Sequence, residues 1–184
     1  MSWLIQPDDR ADDFETVFGM TPGAYARFRV LYASLWNPKA LDLGVLELCR
    51  LRVAALLGCA SETQFRVPEA RSSGLPEAKI AALPLYPSSP LFSELERRCL
   101  AYVEQYVLDP HGLEDRDFEL LREHLNDAQI SALTLAAAVF DALARFRLGL
   151  GLDDTRSESA GTGANRSVQR DPSAGAASMG RKDR

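Results

Sequence analysis

Residues 44–75 read GVLELCRLRVAALLGCASETQFRVPEARSSGL, and this stretch says most about the fold and about a candidate site. Its first half is an apolar run that includes one carboxylate, Glu47, and ends at a glycine suited to a helix C-terminus. Cys59 follows directly, and a second helical stretch carries Glu62 and Arg66. A thiol at a helix junction, twelve residues after a carboxylate, is a layout found in redox and acid/base enzymes.

The same stretch predicts two helices separated at Cys59. Gly58 is a C-terminal cap for the first helix. Ser61 with Gln64 fits a capping box at the start of the second. Pro68 lies inside that second helix and predicts a kink in it.

Local start signals extend the helical prediction to the remainder of the chain. Thr21 followed by Pro22 is a helix start, and Asn126 with Gln129 caps the most apolar segment. No segment combines sustained period-two alternation with β-branched residues, so we predict an all-α bundle of about six to seven helices. The predicted helices cover residues 21–36, 41–57, 61–73, 77–83, 91–108, 114–125 and 127–148.

The two ends of the chain differ from its middle. Residues 1–20 are predicted to form a weakly ordered N-terminal arm, and residues 21–153 the helical domain. From residue 154 to residue 184 the sequence is rich in Ser, Gly, Ala and Arg and nearly free of large apolar side chains. Such a segment buries too little surface to offset its chain entropy, so we predict a disordered tail.

Composition excludes several classes of protein. A net charge of −5 disfavours nucleic acid as a partner, and no apolar run approaches the roughly 18 residues of a membrane span. The N-terminus is acidic and does not resemble a secretory signal. The three cysteines, Cys49, Cys59 and Cys99, imply no disulfide framework, which favours a cytoplasmic location. Two histidines are too few for a typical histidine-rich metal site, and we predict neither a metal nor a cofactor.

The region from Glu47 through Gly74 resembles the carboxymuconolactone decarboxylase family, which includes the alkyl hydroperoxide reductase component AhpD. Typical members read approximately E-L-x-x-L-R-V-A-x-L-x-G-C-x-x-C/E-x-x-x-H, followed by A-R-x-x-G-L. This chain has ELxxLRVA from Glu47, then Gly58-Cys59, and ARSSGL from Ala70. The resemblance covers residues 21–153. It implies an AhpD-like helical fold, a small-molecule substrate and a homo-oligomer built from trimers or their multiples.

In the AhpD branch a C-x-x-C pair reduces peroxides with the help of an upstream glutamate and a downstream histidine. The resemblance places the glutamate at Glu47 and the first cysteine at Cys59. Glu62 stands at the second cysteine position and Arg66 at the histidine position. A two-cysteine peroxidase cycle within this motif is therefore not expected.

Each of these residues has a structural and a functional interpretation. Glu62 and Arg66 are four residues apart and could form a helix ion pair, or Arg66 could bind a substrate carboxylate while Glu62 raises the pKa of the Cys59 thiol. Glu47 could pair with Arg50 or act as a half-buried proton acceptor. Cys59 could be a packed side chain or a single peroxidatic thiol, resolved by Cys49, by Cys99 or by an external thiol.

Two other polar positions are candidates. His111 lies in the turn Asp109-Pro110-His111-Gly112 after a long helix, where an imidazole could titrate near neutral pH, or it could be an exposed cap residue. Asp141 lies in the apolar last helix, and Arg145 could supply its partner.

Three functions remain open from the sequence. The first is a small-molecule enzyme that uses acid/base chemistry on a carboxylated or carbonyl substrate, with Glu47 or His111 moving protons and Arg66 holding an anionic group. The second is an AhpD-like antioxidant peroxidase, an oxidoreductase that uses Cys59. The third is a non-catalytic oligomeric helical module.

Overall fold

The computed structural model describes residues 13–71 and 73–153, and all of the regular structure within these ranges is helical. The predicted all-α fold is confirmed. The predicted tail over residues 154–184 lies outside the described residues. The helices are α1 (Asp13–Gly19), α2 (Pro22–Leu35), α3 (Leu43–Leu57), α4 (Ala60–Gln64), α5 (Pro68–Arg71), α6 (Glu77–Ala81), α7 (Glu94–Leu108), α8 (Asp115–Arg122) and α9 (Asp127–Gly149), with 3-10 turns at Leu83–Leu85 and Pro110–Gly112.

The central element is α3, which packs against α7 and α9. Ten of its fifteen residues are buried, and they lie on all sides of the helix. A helix that is buried all round must have neighbours on every face, as α3 does here. Polar residues on α3 are therefore placed inside the molecule, which matters for Glu47 and Arg50.

Local sequence signals set several helix ends, two of them where the sequence predicts. Gly58 caps α3 in the left-handed conformation, with φ of 71°. Asn126 and Gln129 form the predicted capping box of α9. The long helix α7 begins at Glu94 because Ser93 and Glu96 form a capping box there, three residues later than the sequence predicts.

The helix predicted over residues 61–73 is instead two short helices, α4 and α5. Phe65 is extended, with ψ of 144°, and Pro68 is the first residue of α5 rather than an interior kink. A proline disfavours helical backbone in the residue before it, and its ring suits the first turn of a helix, so the chain breaks here. The capping box predicted for Ser61 and Gln64 is not formed, since Cys59 occupies the cap position. This split, together with α1 in the predicted arm, gives nine α-helices in the described ranges instead of six to seven.

An aromatic layer joins α1 and α2 to the C-terminal half of α9. The ring centroids of Phe18 and Phe146 are 5.0 Å apart, and those of Trp36 and Phe140 are 5.9 Å apart. No residue of α2 itself is buried. This helix therefore forms a wall over the core rather than part of it.

In the described part of the chain, α9 is the single helix that is long and apolar enough to cross a membrane by length and composition alone. It packs against α3 and α7, and its buried residues include Leu133 and Phe140. A core helix passes the same test of length and composition, so α9 is only weak support for a membrane location.

Candidate functional site

Three charged side chains meet inside the molecule. Glu47, Arg50 and Glu62 are 1%, 2% and 5% exposed. Arg50 binds Glu47 through two parallel bonds, Nε to Oε2 and Nη2 to Oε1, each 2.8 Å long. Its Nη1 lies 3.0 Å from Glu62 Oε2. Buried charges require such partners, and the fork of a guanidinium supplies several at once.

Arg50 also fixes the backbone where α4 ends. Its Nη1 donates to the carbonyl of Glu62 at 2.8 Å, and its Nη2 donates to the carbonyl of Phe65 at 2.7 Å. These carbonyls lie at the C-terminal end of α4, where helix carbonyls lack partners. The predicted pair of Glu47 with Arg50 is confirmed, and it lies in the interior.

The predicted pair of Glu62 with Arg66 is wrong. Glu62 Oε1 accepts a 2.7 Å hydrogen bond from Arg147 Nε, and its Oε2 faces Arg50. Arg66 Nη1 instead donates to the carbonyls of Thr63 and Phe65, at 2.6 and 3.0 Å. Because α4 ends before Arg66, the four-residue spacing no longer places the two side chains on one helix face.

Sequence reasoning missed Arg147. It lies near the end of α9, and its guanidinium carbon is 4.0 Å from the ring centroid of Phe14 while its Nε holds Glu62. One signal was available: no acidic residue lies three or four positions from Arg147, so any ion-pair partner on the same face of the helix was excluded. We refer to Glu47, Arg50, Glu62 and Arg147 together as the ion-pair network.

A cavity of about 580 Å³ lies against one side of this network, between α1, α2, α9 and the α4–α5 segment. We call it the aromatic cavity, since six aromatic rings line it. Glu62, Arg147 and Ser61 form part of its wall. The aromatic residues are Phe14, Tyr25, Phe28, Tyr32, Trp36 and Phe65, and the other lining residues are Glu15, Arg29, Ala33, Val67, Pro68, Glu69 and Leu143.

Tyr32 supplies a neutral hydroxyl to this cavity. Burial raises the pKa of the Tyr32 phenol well above its usual value, and the Arg50 charge opposes this only in part. The charges of Glu62 and Glu47 raise it further. Tyr32 is therefore a hydrogen-bond donor at physiological pH.

The Cys59 thiol is buried, with no exposed surface, and is not part of the aromatic cavity wall. Its Sγ lies 3.4 Å from Asp153 Oδ1 and 3.6 Å from Ser61 Oγ. Burial raises the pKa of the Cys59 thiol, and the Asp153 carboxylate adds to the increase. Thiolate is the reactive form, so this environment disfavours reaction.

Asp153 closes the start of α4. Its Oδ2 accepts from the amide of Ala60 at 2.8 Å and its Oδ1 from the amide of Ser61 at 2.7 Å. Burial alone would raise the pKa of the Asp153 carboxyl, but the hydrogen bonds from Ser61 and Ala60 outweigh it and lower the pKa. The acid thus caps α4 from a position over 90 residues further along the chain.

The other two cysteines lie in the core, on α3 and α7. Burial raises the pKa of the Cys99 thiol to about 12 and that of Cys49 well above its usual value. Both are free thiols, as is Cys59. Neither is among the hydrogen-bond partners of Cys59.

A second, smaller cavity of about 240 Å³ touches the other end of the ion-pair network. Glu47 and Arg66 both line it, together with Arg71 and Glu77. The predicted site residues are therefore divided: Glu62 lines the aromatic cavity, whereas Glu47 and Arg66 share the smaller one. His111 is exposed on the 3-10 turn after α7, where its amide donates to Asp109, and it lines neither cavity.

The remaining predicted polar pair is structural. Arg145 Nε binds Asp141 at 2.9 Å within α9, which confirms the predicted partner. Among the described residues, no group of three or more His, Cys, Asp or Glu side chains could hold a metal ion.

The sequence and the fold can be compared with those of known proteins. Residues 22–105 match the sequence profile of the carboxymuconolactone decarboxylase family. The match covers 84 of the chain's 184 residues. The resemblance seen in the sequence is confirmed, although the family's second cysteine and its histidine are replaced by Glu62 and Arg66.

Two solved structures share the fold. A protein of unknown function from Agrobacterium tumefaciens, described as a candidate antioxidant defence protein AhpD, is 27% identical, with a TM-score of 0.65 over 73% of this chain and 92% of its own. A peroxidase-related protein from a Silicibacter species is 18% identical, with a TM-score of 0.60 over 82% of this chain and 90% of its own. No curated protein matches the chain.

Proposed function

We propose that this protein is a small-molecule enzyme that moves a proton on a carbonyl or carboxylated substrate bound in the aromatic cavity. The observation that carries the proposal is the position of Glu62. Its carboxylate lies in the cavity wall, is fixed by Arg50 and Arg147, and has the neutral Tyr32 phenol nearby. Polar groups held in fixed positions in this way suit proton transfer at a carbon atom.

The chemistry assigns a role to each side chain. Glu62 takes the proton as the C–H bond next to a carbonyl breaks, and the electron pair of that bond moves to the carbonyl oxygen to give an enolate. The Tyr32 hydroxyl and the Arg147 guanidinium stabilise the negative oxygen. Returning the proton from Glu62 to carbon completes the cycle with no external oxidant or reductant.

In this proposal Glu47 is a positioning residue. Both of its oxygens bind Arg50, which in turn orients Glu62. The proton-moving role that the sequence suggested for Glu47 or His111 passes to Glu62, and the anion-binding role suggested for Arg66 passes to Arg147. The reason is that Glu62 and Arg147 share the larger cavity.

A thiol peroxidase is the second candidate. Cys59 occupies the position of the family's first cysteine, and the Agrobacterium protein is described in antioxidant terms. Burial and the Asp153 carboxylate both act against thiolate formation at Cys59. A non-catalytic module is the third candidate: it accounts for the paired Glu47 and the packed Cys59 but leaves the aromatic cavity without a purpose.

Solvent exchange tests the proposal. A panel of 2-oxo acids and aryl ketones is incubated with the protein in D₂O, and loss of the proton next to the carbonyl is followed by NMR. We expect exchange above the uncatalysed rate, lost in Glu62→Gln and kept in Glu69→Gln, a second carboxylate at the same cavity. Exchange that is equal in the wild type and Glu62→Gln would contradict the assignment.

The homo-oligomer also remains a proposal. α2 has no buried residue in the single chain, and Val30 on it is 73% exposed. Sedimentation velocity of the wild type tests for self-association, and Val30→Lys tests whether α2 takes part.

A further inference from the structure

We infer that the aromatic cavity takes an aromatic monocarboxylate, with its ring among the aromatic side chains and its carboxylate at Arg147 and Tyr32. This inference names a substrate class and rests on the proposed function only in taking the same cavity as the site. Three features of the cavity carry it: the arrangement of its rings, the free donors at its polar end and its charge balance.

The rings of the cavity favour a ligand that contains a flat aromatic ring. Phe28 and Tyr32 on α2 and Trp36 at its C-terminal cap follow one another at four-residue intervals, with successive centroids 5.7 and 6.1 Å apart. Phe14, Tyr25 and Phe65 complete the aromatic lining. Aromatic pairs at these separations gain from edge and offset contacts that a saturated ring of the same size cannot make.

The polar end of the cavity offers donors. Arg147 uses Nε for Glu62 and stacks on Phe14, and no described residue accepts from its two terminal nitrogens. The Tyr32 phenol is neutral and is also a donor. Paired guanidinium nitrogens match the two oxygens of a carboxylate. The ligand group at this end is therefore an acceptor.

The charges around the cavity disfavour a ligand with two negative charges. Within the ion-pair network two arginines match two glutamates, while Glu15, Glu69 and Arg29 add one net negative charge to the cavity lining. This charge repels a dianion more strongly than a monoanion, whose single carboxylate pairs with the Arg147 fork. A cationic ligand would compete for the rings with cations that already stack there, since Arg29 lies 5.8 Å from the Tyr25 centroid and Arg147 lies over Phe14.

Four matched probes test the class by titration calorimetry on the full chain. They are phenylacetate, cyclohexylacetate with the same charge and a saturated ring, phenylacetamide with the same ring and no charge, and 2-phenylethylamine with the opposite charge. We expect phenylacetate to bind best, cyclohexylacetate about three- to tenfold more weakly and phenylacetamide at least about tenfold more weakly. Binding of the amine equal to or tighter than that of the acid, equal binding of the two acids, or no binding of phenylacetate up to millimolar concentration would each overturn the inference.

Variants locate the site of binding. Arg147→Lys keeps the charge but loses the fork, and should weaken phenylacetate binding about tenfold. Arg145→Lys is the matched control, because Arg145 lies two residues away on α9, is exposed and pairs with Asp141. Tyr32→Phe keeps the ring and removes the hydroxyl, and should also weaken binding. Wild-type affinity in both Arg147→Lys and Tyr32→Phe would place the ligand elsewhere and overturn the inference.

The inference and the proposed function fail separately. Tight binding of phenylacetate without catalysed exchange on any 3-aryl-2-oxo acid would support the ligand class and contradict the proposed enzymatic activity. Catalysed exchange that is restricted to non-aromatic substrates would support the enzymatic activity and contradict the ligand class.

Discussion

The carboxylate of Asp153 lies 3.4 Å from the sulfur of Cys59 and binds the amides of the two residues that follow that cysteine. A helix start ordinarily favours a thiolate at this position through its unpaired N–H groups. Here an acid from the end of α9 takes those N–H groups and places a negative charge beside the sulfur. The thiol is therefore a hydrogen-bond donor to Asp153 rather than a prepared nucleophile.

Replacing Asp153 should make Cys59 more reactive. In Asp153→Asn the negative charge is removed while an acceptor oxygen remains for the amides, so the pKa of the Cys59 thiol should fall. Iodoacetamide labelling as a function of pH, read at the Cys59 peptide by mass spectrometry, measures this. Cys49 and Cys99 serve as internal controls, and unchanged labelling of Cys59 would show that Asp153 does not control the thiol.

Asp153 should also stabilise the fold in a pH-dependent way. Its carboxyl pKa is lower in the folded protein than in the unfolded chain, so the stabilisation is complete above the unfolded pKa and is lost as pH falls through the folded one. We expect Asp153→Ala to lower the free energy of unfolding by about 0.5–2 kcal/mol at pH 7. In urea titrations this difference should shrink below about pH 4, whereas a constant difference would contradict the assigned role.

Arg50 should be the most sensitive position in the ion-pair network. Arg50→Met leaves Glu47 and Glu62 buried without their shared partner, and breaking such an arrangement costs about 3–5 kcal/mol. Arg52 lies two residues further along α3 and pairs with the partly exposed Glu104. Arg52→Met should therefore lower the free energy of unfolding by no more than about 1 kcal/mol. Urea unfolding of both variants tests this, and equal losses would show that the burial of Arg50 has no special weight.

His111 should not take part in the chemistry. It is exposed and lines neither cavity, so His111→Ala should leave both catalysed exchange and phenylacetate binding unchanged. Loss of exchange in this variant, with the fold intact by circular dichroism, would contradict this prediction and show that the His111 imidazole is needed for the reaction.

Local sequence signals predicted the local parts of this structure well. The glycine cap of α3, the capping box of α9 and the Glu47–Arg50 pair each depend on residues at most four positions apart. The break at Pro68 was visible, but its consequence was underestimated. The proline ended one helix and began another, which separated Arg66 from Glu62.

The cavity depended on contacts that no local pattern contains. Arg147 reaches Glu62 across 85 residues, and Asp153 reaches Ser61 across 92. Sequence spacing gives the face of a helix but not the element that packs on it. The aromatic residues of α2 read as an ordinary apolar face, and only the positions of α1 and α9 show that they line a cavity.

One comparison tests most directly whether the chemistry lies at Glu62 rather than at Cys59. Solvent exchange on a 3-aryl-2-oxo acid, which has a C–H bond next to its carbonyl, is measured for the wild type, Cys59→Ala and Glu62→Gln, each checked for folding by urea titration. We predict that Cys59→Ala keeps the wild-type rate and that Glu62→Gln loses at least about a hundredfold, the usual effect of removing a general base. Full activity in Glu62→Gln together with loss of activity in Cys59→Ala would contradict the account.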